Sequence, residues 1–173
     1  MNKLLSPLLL AMLVSLGISA AYVLLYAITK KSLPSTGRAA LVTAFSAYVF
    51  IVLSITLIFR SAHFFNHIEL DPMASYRRAA NAPAHLAILE IRDIILNIAM
   101  FVPLGIFLPL VHAPLEKFYI ALPIALLASL TIETTQLVTN RGVFSVEDII
   151  HNTLGAALGL FLYAASSKIF KKP

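Results

Sequence analysis

Cysteine is absent from all 173 residues. That excludes disulfides, thiol nucleophiles, cysteine-ligated zinc and iron–sulfur clusters. Tryptophan is absent too, so any aromatic belt at a membrane surface must be built from tyrosine and phenylalanine. Charge is scarce. Asp, Glu, Lys and Arg make up 12% of the chain, about half the roughly 25% of a soluble domain. Acids are the rarer sign, eight against thirteen basic residues. The basic surplus comes with no nucleic-acid-binding pattern, so nucleic acid is not an expected partner. There is no HExxH pair, so no metal is expected, and no Gly-x-Ser-x-Gly elbow marks a serine nucleophile; no cofactor is expected.

What the chain has instead is apolar residues, 60% of the total, gathered in runs. Five runs stand out, at about 4–28, 39–59, 94–111, 118–138 and 148–166. A spanning helix needs about 20 apolar residues, so the pattern predicts an all-α, polytopic membrane bundle of about five helices forming a single membrane domain. The first run exceeds the 7–15 apolar residues of a cleaved leader and is expected to stay as a helix. The third holds Pro103 and Pro109, and Pro103 should kink it. The segment 60–93 reads as a long polar connection.

Five spans place the amino-terminus, the long connection and the 139–146 loop on one side. Basic residues on the other side crowd into short segments beside helix ends: Lys30, Lys31 and Arg38, then Lys117, then Lys168, Lys171 and Lys172. The positive-inside rule puts that side in the cytoplasm and the long connection outside. Most of the Arg, His and acidic residues share this outer side, which reads as the face of recognition. The expected location is a plasma membrane, with the polar face extracytoplasmic.

Polar residues cluster at the mouths of the last three spans. Asp93 and Asn97 are four apart on one helix face, next to Arg92. Glu133 and Gln136 are three apart near the end of the fourth run. Ionisable residues inside a bilayer are costly and face the bundle interior, paired or hydrated. The fifth helix opens with Ser145-Val146-Glu147-Asp148, a capping-box pattern. Capping accounts for Glu147 but not for Asn152, four residues after Asp148. Gly155 and Gly159 continue that stripe as a GxxxG pair suited to close helix packing. Arg141 lies in the preceding loop. Arg92, Asp93, Asn97, Glu133, Gln136, Arg141, Asp148 and Asn152 can therefore share one pocket near one leaflet.

The same residues carry a resemblance. "NIAMFVPLGIFLPL" followed by "IETTQLVTNRGVFSVEDIIHNTLGAALG" resembles the VanZ-like family of small integral membrane proteins. Asn97, Phe101, Pro103, Leu104, Gly105, Glu133, Gln136, Arg141, Asp148, Asn152, Thr153 and Gly155 fit its pattern, over about 92–159. The resemblance implies a role at the cell envelope, and the family takes its name from a protein linked to resistance to the glycopeptide teicoplanin.

Three functions compete. In the first, the pocket binds or modifies a lipid, a lipid-linked precursor or a glycopeptide, with Arg92 and Arg141 holding an anionic group by charge-assisted hydrogen bonds. In the second, an intramembrane enzyme uses Glu133 and Asp148 as acid and base. In the third, the polar residues only join helices or bind a partner protein. The first is preferred, because three helices bring their polar groups to one end.

Overall fold

The computed structural model describes residues 5–58, 60 and 67–170. Leu4, Phe59, Lys171 and Lys172, read above from the sequence, lie outside them. The chain forms two compact units, residues 1–59 and 60–173.

The first unit is a helical pair. α1 spans Leu5–Lys30 and α2 spans Thr36–Leu53. α1 ends on Lys30, which suits the negative end of the helix dipole. Lys31 then turns left-handed, with φ 54°, and halts the helix. Ser35 caps α2 by accepting a hydrogen bond from the Arg38 N–H at 3.2 Å. α2 runs on into a π-helical turn, Ser54–Ile58. The two helices meet through hydroxyls: Thr43 Oγ1 donates to Ser19 Oγ at 2.6 Å, and Ser46 Oγ reaches the Ser15 carbonyl at 3.5 Å.

The second unit begins with a correction to the sequence reading. The segment 60–93 is not simply a connection. It holds a short helix, α3 (Ala74–Asn81), and the first turns of α4, which spans Ala84–Val111 rather than starting near Ile94. The apolar-run criterion stopped at Glu90, Arg92 and Asp93, but charged residues are good helix formers when one side can stay wet. At 28 residues α4 is about 42 Å long, more than the roughly 30 Å of a bilayer core. Its amino-terminal turns therefore extend to headgroup level. α3 starts after an Asx turn, in which Asp71 Oδ1 accepts from the Met73 N–H at 3.0 Å. Asp71 also pairs with Arg77.

α5 spans Phe118–Val138, after a 3₁₀ turn at Ala113–Glu116, and α6 spans Val146–Phe170. Asn140 takes the left-handed conformation, φ 57°, after α5. The Asn140 N–H then bonds the Leu137 carbonyl at 3.2 Å and the Arg141 N–H bonds the Gln136 carbonyl at 2.8 Å. This is a Schellman closure with Asn in place of Gly, and it turns the chain sharply toward α6. Two short strands, β1 (Ile68–Glu69) and β2 (Phe144–Ser145), pair in parallel. They tie the segment before α3 to the loop before α6.

The core of this unit is the contact between α4 and α6. Gly155 lies against the Ile98 carbonyl, Gly159 against the Val102 carbonyl and Gly105 against the Ala156 carbonyl. A Cβ at any of the three would overlap backbone. Pairing 98 with 155 and 102 with 159 makes α4 and α6 parallel, so their amino-termini lie at the same end. Phe101 and Leu160 fill the seam beside Ala156, all nearly inaccessible. Among the described residues five helices, counting α2 through its π-helical turn, are long and apolar enough to cross a membrane. The all-α membrane bundle expected from the sequence is the observed architecture.

Candidate functional site

Because α4 and α6 are parallel and α5 runs back between them in sequence, the starts of α4 and α6 and the end of α5 come together. The polar residues gather there. Ser145 caps α6, accepting from the Asp148 N–H at 3.1 Å. A capping box would have Asp148 return the favour to the Ser145 N–H. Instead Glu133 of α5 takes that N–H on Oε2 at 3.0 Å. The cap of one helix is thus completed by a carboxylate from another, and Asp148 is left available. Glu133 is 3% exposed.

Glu133 faces two further charges, the Asp148 carboxylate and the Arg60 guanidinium. Asp148 lies near Arg60 as well, and near His151 and Glu147, with Asn97 within hydrogen-bonding reach. An exposed cation near two carboxylates offsets part of the cost of holding them away from water. Gly142, buried in the α5–α6 loop, gives Arg60 its place: a Cβ there would come within 2.9 Å of Gln136 Oε1 and 3.2 Å of Arg60 Cζ. Arg141 is half-buried, with Nη1 3.4 Å from the Arg60 carbonyl. Deeper along the same face, Asn152 donates from Nδ2 to Ser129 Oγ at 2.9 Å. Asn152 and Ser129 are one turn from Asp148 and Glu133 respectively.

Of the eight residues singled out by sequence, six gather here: Asn97, Glu133, Gln136, Arg141, Asp148 and Asn152. Arg92 and Asp93 do not join them. They form a salt bridge with each other at 2.9 Å, with side chains 59% and 64% exposed. On that turn of α4 the inward position belongs to buried Ile94, about 100° around the helix from Asp93.

Sequence reasoning did not find the partners of three residues. Arg60 was read only as the first residue of the long polar connection, and nothing local marks it as a neighbour of residues 73 and 88 positions away. Glu147 was read as helix-starting polarity, yet it is 1% exposed and accepts the Ser75 N–H of α3 on Oε2 at 2.8 Å. His151 is 3% exposed and shares a 2.9 Å hydrogen bond with the Tyr76 hydroxyl, also of α3. Glu147 and His151 are four apart, so α3 straps one face of the α6 mouth through both. Among the described residues no group of three or more His, Asp or Glu is arranged to hold a metal ion.

Five apolar spans with a charged cluster at one end define a multi-pass membrane protein. The VanZ/LLP1 family model matches residues 45–170, and the chain belongs to that family. The match reaches beyond the motif region into the second half of α2. Protein VanZ of Enterococcus faecium is 33% identical over 93 residues, covering 54% of this chain. The chain spans 57% of the length of that relative. No solved structure matches the chain.

Proposed function

We propose that this protein binds a membrane-derived component of the bacterial cell envelope at the α4–α5–α6 mouth, holding its polar head group in the Glu133–Asp148–Arg60 cluster. The observation that carries this reading is the convergence of Arg60 and Asp148 on the buried Glu133. Helix packing does not require it. The seam between α4 and α6 holds those helices through glycine–carbonyl contact and the buried Phe101 and Leu160, whereas burying the Glu133 carboxylate near that of Asp148 costs free energy that binding can use. Arg60 takes over the anion-binding role that the sequence assigned to Arg92, with Arg141 beside it. The candidates are a lipid, a lipid-linked precursor or a glycopeptide, and family membership supports an effect on teicoplanin susceptibility.

The test expresses the chain in a teicoplanin-susceptible bacterium beside Glu133→Gln and Arg60→Gln. The expected outcome is loss of any protective effect in both variants at unchanged membrane levels. Protection fully retained by both would sink the reading. Sidedness is part of the proposal, with the cluster extracytoplasmic. Since the chain has no cysteine, a single cysteine at exposed Asn140 is a clean probe. It should react with a membrane-impermeant maleimide on intact cells, and protection until lysis would reverse the orientation.

A further inference from the structure

Among the described residues neither Glu133 nor Asp148 forms a salt bridge. Glu133 and Asp148 bring two carboxylates, and Glu147 sets a third within electrostatic reach of Asp148. Near them stand the guanidinium groups of Arg60 and Arg141, and His151 lies beside Asp148. The protein leaves further acceptors open. Asn152 is 1% exposed, and its Oδ1 has no hydrogen-bond partner among the described residues. Glu147, equally buried, has one oxygen on the Ser75 N–H while Oε1 has no partner there. Buried acceptors of this kind are normally completed by a donor from water or ligand. Asn152 lies one turn beyond Asp148 on the same face of α6, and its bond to Ser129 ties it to the Glu133 stripe of α5. The bare oxygen therefore belongs to the inner end of the site, and the arginines to its mouth.

We infer that the head group taken by this site combines a primary ammonium with a phosphate, an aminoalkyl phosphate; this rests on the binding role proposed above. The phosphate lies against Arg60 and Arg141 by charge-assisted hydrogen bonds. The ammonium, a donor of three hydrogen bonds and an acceptor of none, points inward to Glu133, Asp148 and Asn152 Oδ1. Its charge answers two carboxylates that no salt bridge among the described residues takes up. A purely anionic head group leaves those acceptors unmet and adds repulsion. A quaternary ammonium matches the charge but brings no N–H to Asn152.

The experiment is calorimetric titration of the purified full chain in detergent with short-chain phosphatidylethanolamine, phosphatidylglycerol and phosphatidylcholine, and with free phosphoethanolamine. Phosphatidylethanolamine should bind at least about tenfold more tightly than the other two lipids, the size of one good charged hydrogen bond. Free phosphoethanolamine binding with comparable affinity assigns recognition to the head group alone; binding of the lipid only makes the lipid the source. Asp148→Asn should bring the three lipids to within about twofold, while Arg60→Gln should weaken all three and keep their order. If Asp148→Asn is not monodisperse, the wild-type ranking decides. Phosphatidylglycerol binding as tightly as phosphatidylethanolamine overturns the ammonium inference and leaves head-group binding standing. An unchanged tenfold preference in Asp148→Asn overturns the assignment of the ammonium to this cluster. No binding of any head group by monodisperse wild type overturns both.

Discussion

α1 and α2 in one unit, and α4 and α6 in the other, are all long apolar helices, and their contacts differ in kind. The α1–α2 contact is made by short hydroxyl side chains, Ser19, Thr43, Ser15 and Ser46. No Asp, Glu, Lys or Arg lies between Leu4 and Thr29 or between Ala39 and Phe59. The α4–α6 contact is made by glycine against carbonyl, and it leaves buried carboxylates and amides at one end. In lipid the hydrophobic effect does not drive helices together, so packing and polar contacts must do so. Hydroxyls can do this with few residues and little precision. A backbone-to-backbone seam demands particular residues, and in return it fixes the relative position of α4 and α6, which a site built from both requires.

The contrast can be broken most severely at its glycines. Gly155→Val puts a side chain into the Ile98 carbonyl, which cannot move without moving α4. The expected loss is about 3 kcal/mol, seen as a collapse of the melting midpoint in detergent. Gly17→Ala is the matched control, since nothing lies within 4 Å of an added Cβ there. It should change stability by about 1 kcal/mol or less, and an equal loss at both positions would end the distinction.

A sharper cut separates site from scaffold. Glu133→Gln keeps an oxygen for the Ser145 N–H but removes the charge facing Arg60 and Asp148. Head-group binding should fall about tenfold, by titration, while the melting midpoint moves little, as expected for a group whose charge serves ligand rather than fold. Tyr76→Phe removes the hydroxyl on buried His151 and should cost about 1 kcal/mol, with faster amide exchange in α3 as the local readout. The smallest effect belongs to the hydroxyl pair. Thr43→Val should cost about 0.6 kcal/mol, the average for a hydrogen bond between membrane helices, measured by unfolding titration.

Local rules read well here. The fourth span was placed at Phe118–Val138, as observed, because its apolar run and its helix coincide. Ser145 as a cap and Gly155 and Gly159 as packing residues were visible because each depends on spacing within one helix. The start of α4 was not, because its first three turns are helical without being apolar throughout. α3 was not, because eight polar residues with two arginines and an asparagine form no apolar run; its place comes from Ser75 and Tyr76 docking on α6.

The sequence by itself determined the elements: five apolar spans, their likeness to the VanZ-like pattern, and the polar residues at their mouths. Those properties depend on neighbours within a few residues, where helical geometry is fixed in advance. The tertiary structure alone decided which polar residues meet. It turned Arg92 and Asp93 outward, brought Arg60 to Glu133 and Asp148, and buried Glu147 and His151 beneath α3. Each of these depends on the path of a connection and on the rotation of one helix against another. Helical periodicity constrains neither, since it fixes which residues share a face but not what that face will touch.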